Sequence, residues 1–278
     1  MSFFFKKILK ILNGEKMGSF DDLAFIVLAA GFGTRMKSDK AKVLHELNGK
    51  AMIIHIMETL KQIVEKNIIV VVGYQADTVK KTISQNHRDI YFATQNVPKG
   101  TGDAVLKAIP LIDKKIRNVV VLCGDVPLVR ANTLKMLIQH HINESNDVTI
   151  QAVSTDNPYG YGRIVFDKRH LVTKIVEESD ADENEKKINK INTGIYCVEK
   201  NFLIDSVKKI EPNNIKGEYY LTDIIQMAYR ENKMIGAIVG KSPDEFIGVN
   251  SAEELKKAEE RLLKHYNKNL DFKAYESL

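Results

Sequence analysis

Four runs of strand length, AFIVLA (24–29), NIIVVV (67–72), DIYFA (89–93) and NVVVLC (118–123), are apolar almost throughout. A strand with one wet face alternates apolar and polar residues, whereas a nearly continuous run is covered on both faces. Helical patterns over residues 50–66, 77–85 and 101–109 separate these runs, and Pro110 stops the last of them. Alternation of this kind predicts an α/β fold, a Rossmann-like, mostly parallel mixed sheet flanked by helices. Ligands of such sheets lie beyond the carboxyl ends of the strands. LAAGFGTRM (28–36) follows the first run and GDVP (124–127) follows the fourth, so both fall at that edge.

After about residue 150 the texture changes. VTIQAV, RIVF, LVTKIV, TGIYCV and MIGAIV read as short strands, with one clear helix over 221–231. The charged segment 177–190 reads as an exposed excursion. The expected organisation is an extension over 1–20 and one domain over 21–266, on one continuous sheet, with a tail over 267–278. Within the domain a first half covers 21–150, a second half covers 151–250, and a helix covers 251–266. Ser251 and Glu254 predict a capping box, Ala252, Leu255, Ala258, Leu262 and Tyr266 a buried stripe, and Glu253 with Lys257 and Glu260 with Lys264 exposed ion pairs.

The net charge of +5 narrows the partners. Residues 1–20 hold Lys6, Lys7, Lys10 and Lys16 against Glu15, which leaves only +2 for the remainder. No concentrated basic face for nucleic acid is expected. Cys123 and Cys197 lie in apolar runs and are read as reduced thiols. No stretch reaches the ~18–20 apolar residues of a membrane span. The first residues have the wrong order for a signal peptide. Phe4, Phe5, Ile8, Leu9, Ile11 and Leu12 fit a short amphipathic helix, so residues 1–16 could touch a partner or a membrane surface. A cytoplasmic protein is expected.

The glycine turn suits a phosphate. Gly31 and Gly33 allow positive φ and close backbone approach, so that N–H groups can cradle oxygens. Met36 stands where a dinucleotide fingerprint needs glycine, and no P-loop motif occurs. Arg35 and Lys42 add cations suited to the charge on a leaving pyrophosphate. Asp125, directly after a buried strand, suits Mg²⁺, although a turn aspartate reads equally well there.

LAAGFGTRM, AKVLHELNGKAMIIH, QNVPKGTGDA, CGDVPLV, YGYGRIV, KIVEESDA, INTGIYCV, GEYYLTDII and GVNS occur in this order. Together they resemble the uridylyltransferase half of the bacterial bifunctional enzyme that makes UDP-N-acetylglucosamine. The likeness runs over about residues 22–265; the first motif marks only the wider sugar nucleotidyltransferase fold, and the later ones are specific. The resemblance implies uridylyl transfer from UTP to N-acetylglucosamine 1-phosphate, for cell-wall and lipopolysaccharide precursors. By the same resemblance, Leu28, Ala30 and Gly31 hold uracil and ribose, while Gln95, Gly100 and Thr101 read the uracil edge. Arg35 and Lys42 meet the phosphates. Asp125 and Asn250 hold Mg²⁺. Gly162, Glu177 and Asn192 contact the sugar, with Tyr161 and Thr222 as weaker candidates.

Two residues depart from the family's pattern. Ala41 replaces a proline before Lys42, which predicts a looser loop, and Phe32 stands at a position commonly basic or small. No hexapeptide period is visible, so the acetyl transfer of the bifunctional enzyme is not expected here. The alternatives are the same chemistry on another sugar 1-phosphate, such as glucose 1-phosphate, and a nucleotide-binding protein that has lost catalysis.

Overall fold

The computed structural model describes residues 20–240 and 242–275, with side chains to Lys264. The expected amphipathic stretch in residues 1–16, and the side chain of Tyr266 in the expected stripe, lie outside the described part. No helix among the described residues is long and apolar enough to cross a membrane.

After β1 (Leu23–Ala29) a small hairpin, β2 (Glu46–Leu47) and β3 (Lys50–Ala51), leads into α1 (Met52–Lys61). Then follow β4 (Ile68–Val72), α2 (Ala76–Asn86), β5 (Ile90–Thr94), α3 (Thr101–Ala108), β6 (Asn118–Cys123) and α4 (Ala131–Asn143). The second half supplies β7 (Val148–Ser154), β8 (Arg163–Phe166), β9 (Val172–Val176), β10 (Lys190–Glu199) and α5 (Lys200–Val207). It ends with α6 (Asp223–Arg230), β11 (Ile235–Gly240) and α7 (Ala252–Tyr275). Nine strands form one sheet in the order β11-β7-β10-β6-β1-β4-β5, with β8 and β9 appended beside β10. Only β10 opposes its neighbours along that path.

β1 shows why the runs are continuously apolar. Leu23, Phe25, Val27 and Ala29 join a core beneath α1, α2 and α4, whereas Ala24 and Ile26 join the opposite core beneath α3, α5 and α6. Each fully buried aliphatic or aromatic side chain contributes about 1.5–3 kcal/mol relative to exposure. β5 departs from expectation. It is an edge strand, and Tyr91 is half exposed although Ala93 on the same face is buried, so the cover on that face is only partial.

Several boundaries also differ. α1 closes at Lys61 rather than residue 66, because Gln62 and Ile63 pass into a tighter turn. Helices α4 and α5 have no counterpart in the sequence reading. In α4, Leu134, Leu137, Ile138 and His141 form a helical stripe that exposed Met136 and Ile142 blur. α7 runs to Tyr275, past the expected end at 266. Ala258 is buried and Leu255 and Leu262 pack beside it, but Ala252 is exposed. The Glu253–Lys257 pair forms at 2.6 Å; Arg261 meets Asp244, and Glu260 and Lys264 do not pair.

His141 ties α4 to the sheet. Its Nδ1 lies 3.0 Å from Thr149 Oγ1 and its Nε2 3.0 Å from Asn118 Oδ1. Since Asn118 Oδ1 can only accept, Nε2 carries the proton. Burial pushes the imidazole down to about 4 from 6.5. The unfolded chain therefore takes up a proton here, between about pH 6.5 and 4, that the folded chain does not. Stability falls as pH is lowered through that window. His141→Gln cannot titrate, so its melting temperature should vary less between pH 7 and 4 than that of the parent. Parallel curves for the two proteins would exclude His141 as the source of the slope.

Candidate active site

From β1 the chain runs outward to β4 and β5 and then returns to β6 on the other side of β1. Such a reversal opens a crevice at the carboxyl ends of the two central strands. Gly124 N–H donates to Leu28 O across it at 2.8 Å. In the glycine turn, Gly33 has φ 77°, and a Cβ there would stand 2.7 Å from Lys42 Cβ. Gly31 lacks the positive φ expected of it; a Cβ there would meet nothing within 4 Å, so its value is open space. Arg35 is exposed, in a 3-10 turn over Thr34–Met36, and has no ion pair among the described residues.

A pocket of about 230 Å³ occupies the crevice. Leu28, Ala30, Gly31, Lys42, Gln95, Gly100, Thr101 and Asp125, all singled out in the sequence, line it. Ala29, Val43, Pro98, Ala104, Cys123 and Glu218, none of them named as a site residue from the sequence, complete it. Two larger hollows, of about 340 and 500 Å³, lie at the amino-terminal ends of the strands and hold none of these residues. The crevice is preferred because charged and polar side chains converge there.

Lys42 Nζ lies 2.5 Å from Asp125 Oδ2 and 3.1 Å from Asn250 Oδ1. Both oxygens thus already face one positive charge. A carboxylate and a carboxamide fit a hard cation that takes its other ligands from water and phosphate. No group of three or more His, Cys, Asp or Glu placed to hold a metal ion occurs among the described residues. Glu254 Oε2 accepts from Asn250 N–H at 2.7 Å while Ser251 Oγ accepts from Glu254 N–H at 3.2 Å. The expected capping box therefore reaches one residue further back and fixes Asn250. Ala41 does not leave its loop slack. It is buried, and its N–H donates to Gln75 Oε1 at 2.9 Å. Phe32 packs on Tyr74, with ring centroids 4.1 Å apart.

On the opposite wall Gln95 is buried, and its Nε2 donates to Gly100 O (3.0 Å) and Asp103 Oδ2 (2.7 Å). Two acceptors fix the carboxamide, so Oε1 is left over as an acceptor. The N–H groups of Gly100 and Thr101, at the start of α3, have no partner among the described residues, as first-turn donors do. Gly100 has φ 111°, and Tyr219 O would stand 2.5 Å from a Cβ there. Thr101 Oγ1 accepts from Leu221 N–H at 2.9 Å, which joins this wall to GEYYLTDII.

Gly162, Glu177 and Asn192 also come together. A Cβ on Gly162 would lie 3.4 Å from both Asn192 Cβ and Glu177 Oε2. Glu177 is not a surface residue of the charged segment: burial pushes its carboxyl up, and Thr222 Oγ1 donates to Oε1 at 3.2 Å. β10 slips register between Asn192 and Ile195. That bulge lets Asn192 Oδ1 accept from Gly194 N–H (3.0 Å) and Tyr196 Oη (2.9 Å), leaving Nδ2 to donate outward. Beside this cluster the Cys123 thiol, chiefly through burial, is pushed up to about 12. Asp103 and Gln75 were missed in the sequence; a polar residue just past β4, at the same sheet edge, was the available signal for Gln75.

The Nucleotidyl transferase family model matches residues 24–244. The bifunctional protein GlmU of Clostridioides difficile is 41% identical over 244 residues, 88% of this chain and 52% of that protein. The Desulfotalea psychrophila protein of the same name is 38% identical over 248 residues, 89% of this chain and 73% of its own. The chain thus spans about half the length of the first of these relatives. Among solved structures, HddC from Yersinia pseudotuberculosis superposes with a TM-score of 0.65 at 25% identity, covering 86% of this chain and 99% of that one. A putative glucose-1-phosphate thymidylyltransferase from Bacillus anthracis shares the fold, with a TM-score of 0.70 at 20% identity over 85% of this chain and 94% of that one. Since the family match runs from β1 into the second half of the sheet, this chain belongs to the nucleotidyl transferase family.

Proposed function

We propose that this nucleotidyltransferase moves the uridylyl group of UTP to N-acetylglucosamine 1-phosphate, giving UDP-N-acetylglucosamine and pyrophosphate. The observation that carries this reading is the wall at Gln95. A uracil ring presents an N3–H donor beside carbonyl acceptors. Gln95 Oε1 is an uncommitted acceptor, and the Gly100 and Thr101 N–H groups are uncommitted donors. Cytosine exchanges donor and acceptor at N3 and C4, and a wall of fixed polar groups rejects such a mismatch strongly. Leu28, Ala30 and Gly31 leave space for ring and ribose. The likeness to the GlmU proteins supports the N-acetylglucosamine acceptor, with Glu177 Oε2 accepting from a sugar hydroxyl and Asn192 Nδ2 donating to the sugar.

In the transfer, an oxygen of the sugar 1-phosphate attacks the α-phosphorus of UTP in line. The bond to the bridging oxygen breaks, and its electron pair leaves with pyrophosphate. No proton has to move, so rate comes from alignment and charge neutralisation. Lys42 and Arg35 bind the triphosphate oxygens and stabilise the charge that builds on the leaving group. Asp125 and Asn250 would hold a divalent cation, Mg²⁺ in this reading, which supplies further neutralisation at the phosphates when bound.

Pyrophosphate release should be fastest with UTP and N-acetylglucosamine 1-phosphate, and about 10²-fold or more lower in kcat/KM with CTP. A preference for glucose 1-phosphate would move the acceptor assignment, and use of CTP would remove the role of Gln95. Arg35→Ala, which breaks no described contact, should keep its melting temperature and lose about 10²–10³-fold in kcat; near-parental turnover would sink its assigned role. In Gly31→Ala the added methyl meets only open pocket, so stability should hold while KM for UTP rises. Calorimetric titration with UTP checks this, and unchanged affinity would place the nucleotide elsewhere.

A further inference from the structure

Gln75 breaks two local rules at once. It is the N-cap residue of α2, yet its side chain caps nothing in its own helix, and it holds a left-handed backbone at φ 50°, ψ 39°. Ser, Thr, Asp and Asn fill that position better, and glycine tolerates the backbone better. Residues kept in such conformations are held there by something else in the structure. Here the side chain spans two loops. Gln75 Oε1 accepts from Ala41 N–H at 2.9 Å, and Gln75 Nε2 donates to Asp39 O at 2.9 Å. Tyr74 Oη donates to the same Asp39 oxygen at 3.0 Å, and Phe32 packs on the Tyr74 ring. The next residue after this clasp is Lys42.

We propose that Gln75 is a positioning residue that sets the place of the Lys42 ammonium between Asp125 and Asn250. Ala41 sits at φ −54° and ψ 136°, and the 3-10 turn Lys42–Leu44 starts directly from it. Holding the Ala41 N–H and the Asp39 carbonyl fixes the direction in which the Lys42 side chain leaves the loop. Gln75 itself faces solvent, so replacing it leaves both cores intact. The effect on turnover rests on the proposed phosphate role of Lys42; the placement of its ammonium does not.

The decisive variants are Gln75→Gly and Gln75→Gly with Ala41→Pro. Glycine removes the clasp and relieves the left-handed backbone, so the single variant keeps its fold. Proline fixes φ near −65°, close to the angle Ala41 already holds. Its ring adds atoms at the Ala41 nitrogen, where the lost carboxamide leaves room. Two quantities are read: pyrophosphate release, and the rate at which an amine-acylating reagent labels Lys42, followed by peptide mass spectrometry without substrate. In Gln75→Gly, kcat should fall about 10-fold and Lys42 labelling should rise about 3-fold, with the melting temperature at or above that of the parent. The double variant should return both toward parental values. Parental labelling and turnover in Gln75→Gly would overturn the inference, as would a double variant that stays impaired. If the parent itself releases no pyrophosphate with any sugar phosphate, the functional reading fails and the labelling pattern still decides the role of Gln75.

Discussion

One ammonium group shared by two oxygens ties together three distant parts of the chain. Lys42 comes from the loop after β1, Asp125 from the turn beyond β6 and Asn250 from the entry to α7. Several residues around the crevice are fixed by this contact. Gly33 has to be glycine because a β-carbon would collide with Lys42. Val249 N–H donates to Asp125 O at 2.8 Å and Glu254 holds the Asn250 amide, so the start of the last helix is bound to the centre of the sheet. The lysine and aspartate side chains are mostly buried, and removing either would leave the other as an uncompensated charge.

Two carboxamides at the site are oriented by the same device. Each commits one end within the protein and turns the other end outward. Gln95 spends its NH₂ on Gly100 and Asp103 and is left with an acceptor, whereas Asn192 spends its oxygen on Gly194 and Tyr196 and is left with donors. A flexible amide would offer either face to any ligand. Fixing it by internal partners turns a permissive group into a selective one, and neither residue needs a shifted proton affinity to act.

The sequence made the sheet legible where two-sided burial governs composition, as in β1, β4 and β6. It misled at β5, because an apolar run does not reveal which strand lies at an edge. Helix α4 escaped because exposed apolar residues on its wet side obscured the stripe. At the site, glycines and charges after strand ends marked the crevice, but Gly31 and Gly33 looked alike and serve different needs. The closing of the loop at Ala41 was invisible because it depends on a side chain 34 residues away. Glu177 read alone as a surface acid, since only the fold brings Thr222 and Gly162 over it.

β10 is the one strand of the main path that opposes its neighbours, and it is also out of order. It lies between β6 and β7, although both precede it in the chain. As the polypeptide leaves the ribosome, β6 and β7 are complete while the slot between them stays empty until residues 190–199 follow. Two unsatisfied strand edges therefore face each other across a gap through the synthesis of about forty further residues. β10 joins the sheet by insertion, whereas β11, which follows it in the chain, adds at the rim beside β7. That same insertion brings Asn192 to the crevice, so the strand that closes the gap also carries a wall of the site.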